Sequence, residues 1–192
     1  MALVPPSLQA SPIAHPALVS VGPSSFSPTK VTIRYPGGIY SGEVMFVFSN
    51  GAPSPMSVTD STGLNLYDTG QQHAPYELDY IFKWAGDYPY HSTTNGAKGI
   101  IRVAMSRHPH AGSLGTAFSL TWASARRSNC VFDVEVHRRG AAHWSFLKFG
   151  TSALTGTFTP RSTGVYAIRS RLRNTVSKAY SKFSPSVFID VT

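Results

Sequence analysis

Three arginines alternate along the stretch GVYAIRSRLRN, residues 164–174. Because successive side chains of a β-strand point to opposite faces, a strand here places Arg169, Arg171 and Arg173 together on one face. Guanidinium groups bind carboxylates and phosphates through paired hydrogen bonds. Like charges on one face repel, so this ladder needs counterions, a facing carboxylate or a partner. Its simplest alternative role is a solvated face that keeps the protein soluble.

The side chains that lie beside the arginines indicate which type of partner they bind. A surface for nucleic acid normally interleaves aromatic side chains with the basic ones. None is evident on the arginine face of residues 164–174. We therefore expect the basic half of the chain to bind an acidic protein surface or an anionic polymer, and we do not expect nucleic acid as a partner.

The positive charge belongs to the second half of the chain. The 192 residues carry 17 basic and 9 acidic side chains, for a formal net charge of +8. Through Met105 there are 5 basic and 6 acidic residues, whereas from Ser106 onward there are 12 and 3. This asymmetry favours two domains and an acidic partner for the second one.

No pattern of residues predicts catalysis. The chain has none of the recognised spacings for a nucleophile with its base, a carboxylate pair or a glycine-rich phosphate loop. We therefore expect no enzymatic activity. The single Cys130 excludes an intrachain disulfide. No apolar run approaches the roughly 18 residues of a membrane span, so we expect no membrane insertion. No signal peptide is visible at the start of the sequence, which fits either a signal already removed or another route of export.

The distribution of turn residues predicts an all-β protein. The 14 prolines and 16 glycines separate short runs of β-branched and aromatic residues, which is typical of strands joined by turns. The segment RHPHAGSLG is the expected linker, because proline and glycine interrupt it and the charge balance changes there. The expected organisation is an extended Pro-rich N-terminal arm at residues 1–16, a sandwich at 17–106, a linker at 107–115 and a second sandwich at 116–192.

The first sandwich resembles the cupredoxin family, the plastocyanin-like Greek-key proteins. The resemblance covers residues 17–104. It rests on VSVGPSSFSPTKVTI for the first strand and turn, EVMFVFSN before the first ligand loop, and AGDYPYHSTTNGAKGIIRV for the last two strands. It implies a β-sandwich with copper ligands in the loops at one end.

The resemblance implies a blue-copper site that has lost its ligands. Such a site needs two imidazoles, a thiolate and a weak thioether. The family's ligand positions fall on Met56, Ser92, Asn95 and Ala97, and none keeps its ligand type. Serine is a poor ligand for a soft metal, and an amide does not replace imidazole. We therefore expect no metal and no cofactor in this chain.

The second sandwich resembles a fibronectin type III domain, a relative of the immunoglobulin fold. The motifs are LTW, FDVEVHRRG, GVY and SKFSPSVFIDV within residues 116–192. The resemblance implies that Tyr166 of GVY forms a tyrosine corner. Together the two resemblances predict two tandem Greek-key β-sandwiches.

The function that fits these features is structural. We expect a non-enzymatic structural or decoration protein that binds neighbouring subunits, possibly other copies of itself, in a virion surface or an extracellular filament. The expected contact residues are Leu3, Val4, Leu8 and Ile13 of the arm and Arg169, Arg171 and Arg173 of the ladder. The alternatives are a secreted cell-surface module that binds an anionic polymer or glycan, and a metal-binding electron-transfer protein.

Overall fold

The protein is built from β-strands. A computed structural model describes residues 16–34, 42–49 and 54–192, and these contain sixteen strands. The strands of the first half are β1 (Ala17–Val21), β2 (Phe26–Ser27), β3 (Lys30–Arg34), β4 (Glu43–Phe48), β5 (Thr59–Asp60), β6 (Glu77–Ile81), β7 (Gly86–His91) and β8 (Lys98–Ala104). Those of the second half are β9 (Ser106–His108), β10 (Ala111–Gly112), β11 (Phe118–Thr121), β12 (Cys130–Arg138), β13 (Ser145–Thr151), β14 (Thr155–Phe158), β15 (Gly164–Asn174) and β16 (Val187–Val191). The predicted all-β fold class is confirmed. Within the described ranges, no helix is long and apolar enough to span a membrane.

The N-terminal sandwich consists of two four-stranded sheets. Their strand orders are β2-β1-β4-β6 and β3-β8-β7-β5. The pairs β1 with β4 and β3 with β8 are parallel. Alternation along β4 buries Val44, Phe46 and Phe48 while the residues between them stay partly exposed. A period of two is what a strand covered on one face requires.

The C-terminal sandwich packs a three-stranded sheet on a five-stranded one. Their orders are β9-β11-β14 and β10-β16-β15-β12-β13. The longest strand, β15, lies between β12 and β16, and its inner side chains Ile168 and Leu172 are fully buried. Trp122, immediately after β11, is also fully buried and donates a hydrogen bond from Nε1 to the Ala153 carbonyl at 2.7 Å.

A tyrosine corner marks the start of β15. The Tyr166 hydroxyl donates a 2.7 Å hydrogen bond to the main-chain carbonyl of Ser162, four residues earlier. A tyrosine that bonds back to the preceding corner is a hallmark of immunoglobulin-like sandwiches. This contact and the strand order confirm the expected fibronectin type III-like fold of the second sandwich.

The segment expected to be a linker contains paired strands. Residues 107–115 include most of β9, which pairs with β11, and all of β10, which pairs with β16. Proline and glycine in RHPHAGSLG therefore separate two short strands that join the two sheets of the second sandwich. Strand pairing accordingly begins that sandwich at Ser106. The arm at residues 1–16 lies outside the described residues except for Pro16.

Main-chain hydrogen bonds join the two sandwiches. Residues 83–87 of the first sandwich bond to residues 122–124 and to Lys182 of the second. The bonds are Ala85 N to Trp122 O at 2.8 Å, Ser124 N to Lys83 O at 2.9 Å, and a reciprocal pair between Asp87 and Lys182 at 3.0 Å each. At Gly86 an added Cβ would lie 2.5 Å from Ser181 Oγ, so the close approach requires glycine. One continuous apolar core therefore runs through both sandwiches.

The tyrosine corner yields a test of the second sandwich. The substitution Tyr166→Phe removes the hydroxyl that bonds to the Ser162 carbonyl and leaves a partly buried acceptor without its donor. We expect a loss of about 1 kcal/mol in the free energy of unfolding, measured by urea denaturation. The matched control is Tyr180→Phe, because Tyr180 is exposed. Equal losses in both variants would contradict the role of the corner.

Candidate functional site

The arginine ladder faces two carboxylates on the neighbouring strand. The antiparallel register of β12 and β15 sets Glu135 opposite Arg169 and Asp133 opposite Arg171. Arg173 lies one step further along the same face of β15. The sequence predicted that these arginines share a face, and the alternation of burial along β15 agrees with it. Acidic residues on β12 balance the charge of the arginines, because they alternate along that strand with the same period.

Hydrogen-bonded ion pairs hold all three guanidinium groups. Arg169 donates to Glu135 Oε2 from Nε at 2.9 Å and from Nη2 at 2.8 Å. Arg171 donates from Nε to Asp133 Oδ2 at 3.0 Å. Arg173 donates to both Asp133 oxygens, at 3.0 Å and 3.1 Å. The ladder therefore obtains its facing carboxylates from within the same sheet.

Asp133 is the centre of this arrangement. Its side chain is 0% exposed, and it also accepts a 3.0 Å hydrogen bond from the main-chain N–H of Gly150 on β13. Gly150 has a φ of +63°, the left-handed region that favours glycine. Burial alone would raise the pKa of Asp133, but hydrogen bonds from Arg173, Gly150 and Arg171 outweigh it and hold the pKa below its usual value.

Aromatic rings stack against the guanidinium groups. Arg169 lies 3.8 Å from the Trp144 ring centroid and 4.4 Å from that of Phe183. Arg171 lies 4.7 Å from Phe183 and 5.0 Å from Tyr180, and Arg173 lies 4.9 Å from Phe149. These are cation–π distances. We call this surface the ladder face; it consists of Arg169, Arg171, Arg173, Trp144, Phe149, Tyr180 and Phe183.

A segment running beside β15 positions two of the rings. The main-chain N–H groups of Ser181 and Ser184 donate to β15, Ser181 N to Leu172 O at 2.9 Å and Ser184 N to Ser170 O at 2.8 Å. Their hydroxyls accept hydrogen bonds from the N–H groups of the same two β15 residues, at 3.1 Å each. Because these serines are fixed, Tyr180 and Phe183 lie over the arginines.

The expectation that the arginine face has no interleaved aromatics is wrong. The rings are absent from β15 itself and come from Trp144 and Phe149 near β13 and from Tyr180 and Phe183 before β16. Only the tertiary fold brings these segments beside the arginines. The motifs HWSFLKF and AYSKF are the sequence signals that the alternation of β15 alone does not contain.

The outer edge of the ladder face is apolar. Phe146 and Phe149 on β13 are 53% and 64% exposed, and their ring centroids are 4.9 Å apart. The three arginines are offset by two carboxylates, so the face carries a net charge of only one. A weakly charged surface with exposed aromatic rings is typical of a protein interface.

The four positions implied for copper lie together at one end of the N-terminal sandwich. Met56 is fully buried and adjoins Ser57, whose hydroxyl is 3.3 Å from that of Ser92. The Ser92 N–H donates to the Ala97 carbonyl at 2.8 Å. Asn95 donates from Nδ2 to the Pro23 carbonyl at 2.7 Å. Hydroxyls and an amide, bonded to one another and to the main chain, do not fit a soft copper ion.

The arm residues expected to make contacts cannot be placed on this framework. Leu3, Val4, Leu8 and Ile13 lie outside the described residues. In the parts that are described, no group of three or more His, Cys, Asp or Glu side chains has a geometry for holding a metal ion.

Comparison with known proteins identifies no family for this chain. No protein family profile matches it, and no curated protein is similar to it in sequence. Among solved structures it is similar to the chicken CNTN1 FN1-FN3 domains, at 12% identity and a TM-score of 0.36 over 92% of this chain and 69% of that one. It is also similar to a chain of a cytokine receptor complex, at 11% identity and a TM-score of 0.35 over 71% and 86%.

Removing the charge of Asp133 tests the centre of the ladder. The substitution Asp133→Asn leaves two partly buried guanidiniums without their carboxylate and turns an amide N–H₂ toward them. We expect a loss of about 3 kcal/mol in the free energy of unfolding at neutral pH. The matched change Glu135→Gln, at a more exposed carboxylate that serves one arginine, should cost less. Urea denaturation measures both, and a greater cost for Glu135→Gln would contradict the central role of Asp133.

The pKa of Asp133 also predicts how stability depends on pH. Because the folded state lowers this pKa below the unfolded value of about 3.9, the carboxylate contributes stability above that pH. The contribution is lost as the pH falls through the folded pKa. The difference in unfolding free energy between wild type and Asp133→Asn should therefore shrink below about pH 4. A constant difference between pH 7 and pH 2.5 would contradict the assignment.

Proposed function

We propose that this chain is a non-enzymatic protein that binds neighbouring protein subunits in a large assembly, such as a virion surface or an extracellular filament. The observation that carries the proposal is the exposure of Phe146 and Phe149 beside a ladder whose charges are already paired. Rings that are exposed on a rigid strand lose little entropy on binding and serve as interface anchors.

The position of β13 supports a specific mode of contact. It ends the order β10-β16-β15-β12-β13, so among the described residues no strand pairs with its outer side. Such an edge presents unpaired main-chain N–H and C=O groups, to which a partner strand can add. A strand added there would run directly beside Phe146 and Phe149. We therefore infer that a neighbouring subunit adds a strand to β13 and packs its apolar side chains on these two rings.

The N-terminal sandwich contributes rigid bulk to this role. Its strand pairing, with β1 parallel to β4 and β3 parallel to β8, supports the relationship to cupredoxins inferred from sequence. Hydrogen bonds among Ser57, Ser92, Asn95 and Ala97 occupy the end where that family binds copper. The arm supplies the second contact to neighbouring subunits, through Leu3, Val4, Leu8 and Ile13.

Binding of an anionic polymer or glycan by a secreted cell-surface form of the protein is the second candidate. It is favoured by the 12 basic residues from Ser106 onward. Three of these basic residues, Arg169, Arg171 and Arg173, are paired with Asp133 and Glu135. The remaining basic residues are left to attract a polyanion. Contacts of that kind weaken as salt rises, whereas apolar contacts do not. Salt dependence therefore distinguishes the two candidates.

Replacing the exposed rings tests the proposal. The double substitution Phe146→Ser and Phe149→Ser should lower incorporation into the native assembly more than tenfold, since an aromatic anchor contributes about 2 kcal/mol to binding. Incorporation is measured by co-purification with the assembly from the natural source. Leu114→Ser is the matched control, because Leu114 is 53% exposed and is not part of the ladder face.

Two outcomes contradict the proposal. The first is undiminished incorporation of the double variant, verified as folded by circular dichroism. The second is incorporation that is lost between about 0.05 and 0.5 M salt whether or not the rings are present, since this range screens exposed charges strongly. That second result would favour the polyanion.

A further inference from the structure

A cleft opens where the two sandwiches meet, beside the strands β3, β9 and β16. Its volume is about 570 Å³. The end of β3 contributes Arg34, β9 contributes Arg107, and His110 follows β9. The start of β16 adds Val187 and Phe188, and the β8–β9 crossing forms another part of its lining. The cleft shares no residue with the ladder face, so its role is independent of the proposed function.

The charge in this cleft is not balanced by the protein. All nine acidic residues of the chain belong to the described ranges, and neither Arg34 nor Arg107 forms an ion pair with any of them. Asp190, the carboxylate two residues beyond Phe188 on β16, is exposed and does not line the cleft. The contrast with the ladder is direct, because each ladder arginine has a carboxylate at 3.0 Å or less.

Arg107 also has an unsatisfied donor. Its Nε is shielded from solvent and has no hydrogen-bond acceptor in the described part of the chain. A buried donor without an acceptor destabilises the folded state, and more so in a charged group. Burial first, and then the nearby charge of Arg34, lower the pKa of the Arg107 guanidinium from its usual value. The folded protein therefore keeps two like charges together at a cost that an anion would relieve.

We propose that this cleft binds the oxyanion group of a small organic ligand, a carboxylate or a phosphate, between Arg34 and Arg107. Paired guanidinium N–H donors match the geometry of both groups. His110 provides a further polar group at the rim.

The cleft is larger than an oxyanion needs. Its volume lies within the range of small-molecule sites, roughly 300–1,000 Å³. Phe188, 55% exposed, and Val187 provide an apolar wall beside the arginines. A ligand that fits has an acidic head between the arginines and an apolar or aromatic body against Phe188.

Thermal unfolding of the full chain, at constant ionic strength set with sodium chloride, tests the site with three probes: inorganic phosphate, phenyl phosphate and benzoate. We expect a saturable rise in Tm with phenyl phosphate or benzoate, at lower concentrations than with inorganic phosphate. A response to phenyl phosphate alone assigns a phosphate ligand, and a response to benzoate alone assigns a carboxylate. No saturable response to any probe would overturn the proposal.

Variants distinguish binding in the cleft from general screening of the protein's charges by the added anions. Arg34→Gln and Arg107→Gln should each weaken probe binding about tenfold, the effect of losing one charge-assisted contact. Arg161→Gln, at an exposed arginine outside the cleft, should bind as wild type does. Because Arg34 is exposed, its replacement does not endanger folding. Equal responses in wild type and all three variants would overturn the site.

The Tm of the Arg107→Gln variant in the absence of any probe provides a second test. Since its shielded Nε lacks an acceptor in the described residues, Arg107→Gln should have a Tm equal to or above that of wild type in chloride, although it has lost the response to phenyl phosphate. A lower Tm together with an unchanged response would show that Arg107 supports the fold and does not bind the ligand.

Discussion

A carboxylate that water does not reach organises the second sandwich. Asp133 on β12 accepts hydrogen bonds from Arg171 and Arg173 on β15 and from the main chain of β13, so three strands meet at one negative charge. A buried charge is tolerated only when it is paired and hydrogen-bonded. The arginines satisfy Asp133, and their own flat faces are then covered by aromatic rings. A strand with three positive charges therefore becomes part of a nearly neutral surface bordered by exposed phenylalanines, which is a surface suited to protein contact.

The two sandwiches contribute differently to this surface. In the N-terminal sandwich, the end that the cupredoxin resemblance associates with copper is closed by hydroxyl and amide hydrogen bonds around Ser92 and Asn95. Main-chain bonds from residues 83–87 join it to the second sandwich without a flexible connection, and the apolar core is continuous. The ladder face is therefore carried on a body whose two sandwiches share one apolar core.

Local patterns in the sequence predicted most of the strands but few of the contacts between them. The alternation of arginines in residues 164–174 indicated the strand β15, and the fibronectin type III resemblance of the GVY motif implied the tyrosine corner, because both depend on residues close together in the sequence. The linker at 107–115 was expected from its proline and glycines, yet those residues separate strands that pair with distant partners. The rings beside the arginines were missed for the same reason, since Trp144 reaches Arg169 only through the pairing of β12, β13 and β15, and Phe183 only through the segment that runs beside β15. Arg34 and Arg107 lie far apart in the sequence, and only the junction of the sandwiches brings them together.

The most direct test of the account is the mass of the native particle that contains this chain, measured by light scattering on material purified from its natural source, with metal analysis of the same sample. The proposed assembly role predicts a particle many times heavier than the 20.8 kDa chain, without stoichiometric copper, whose mass persists when salt is raised. A free monomer in the native extract would contradict the assembly role, and stoichiometric copper would contradict the interpretation of Met56, Ser92, Asn95 and Ala97.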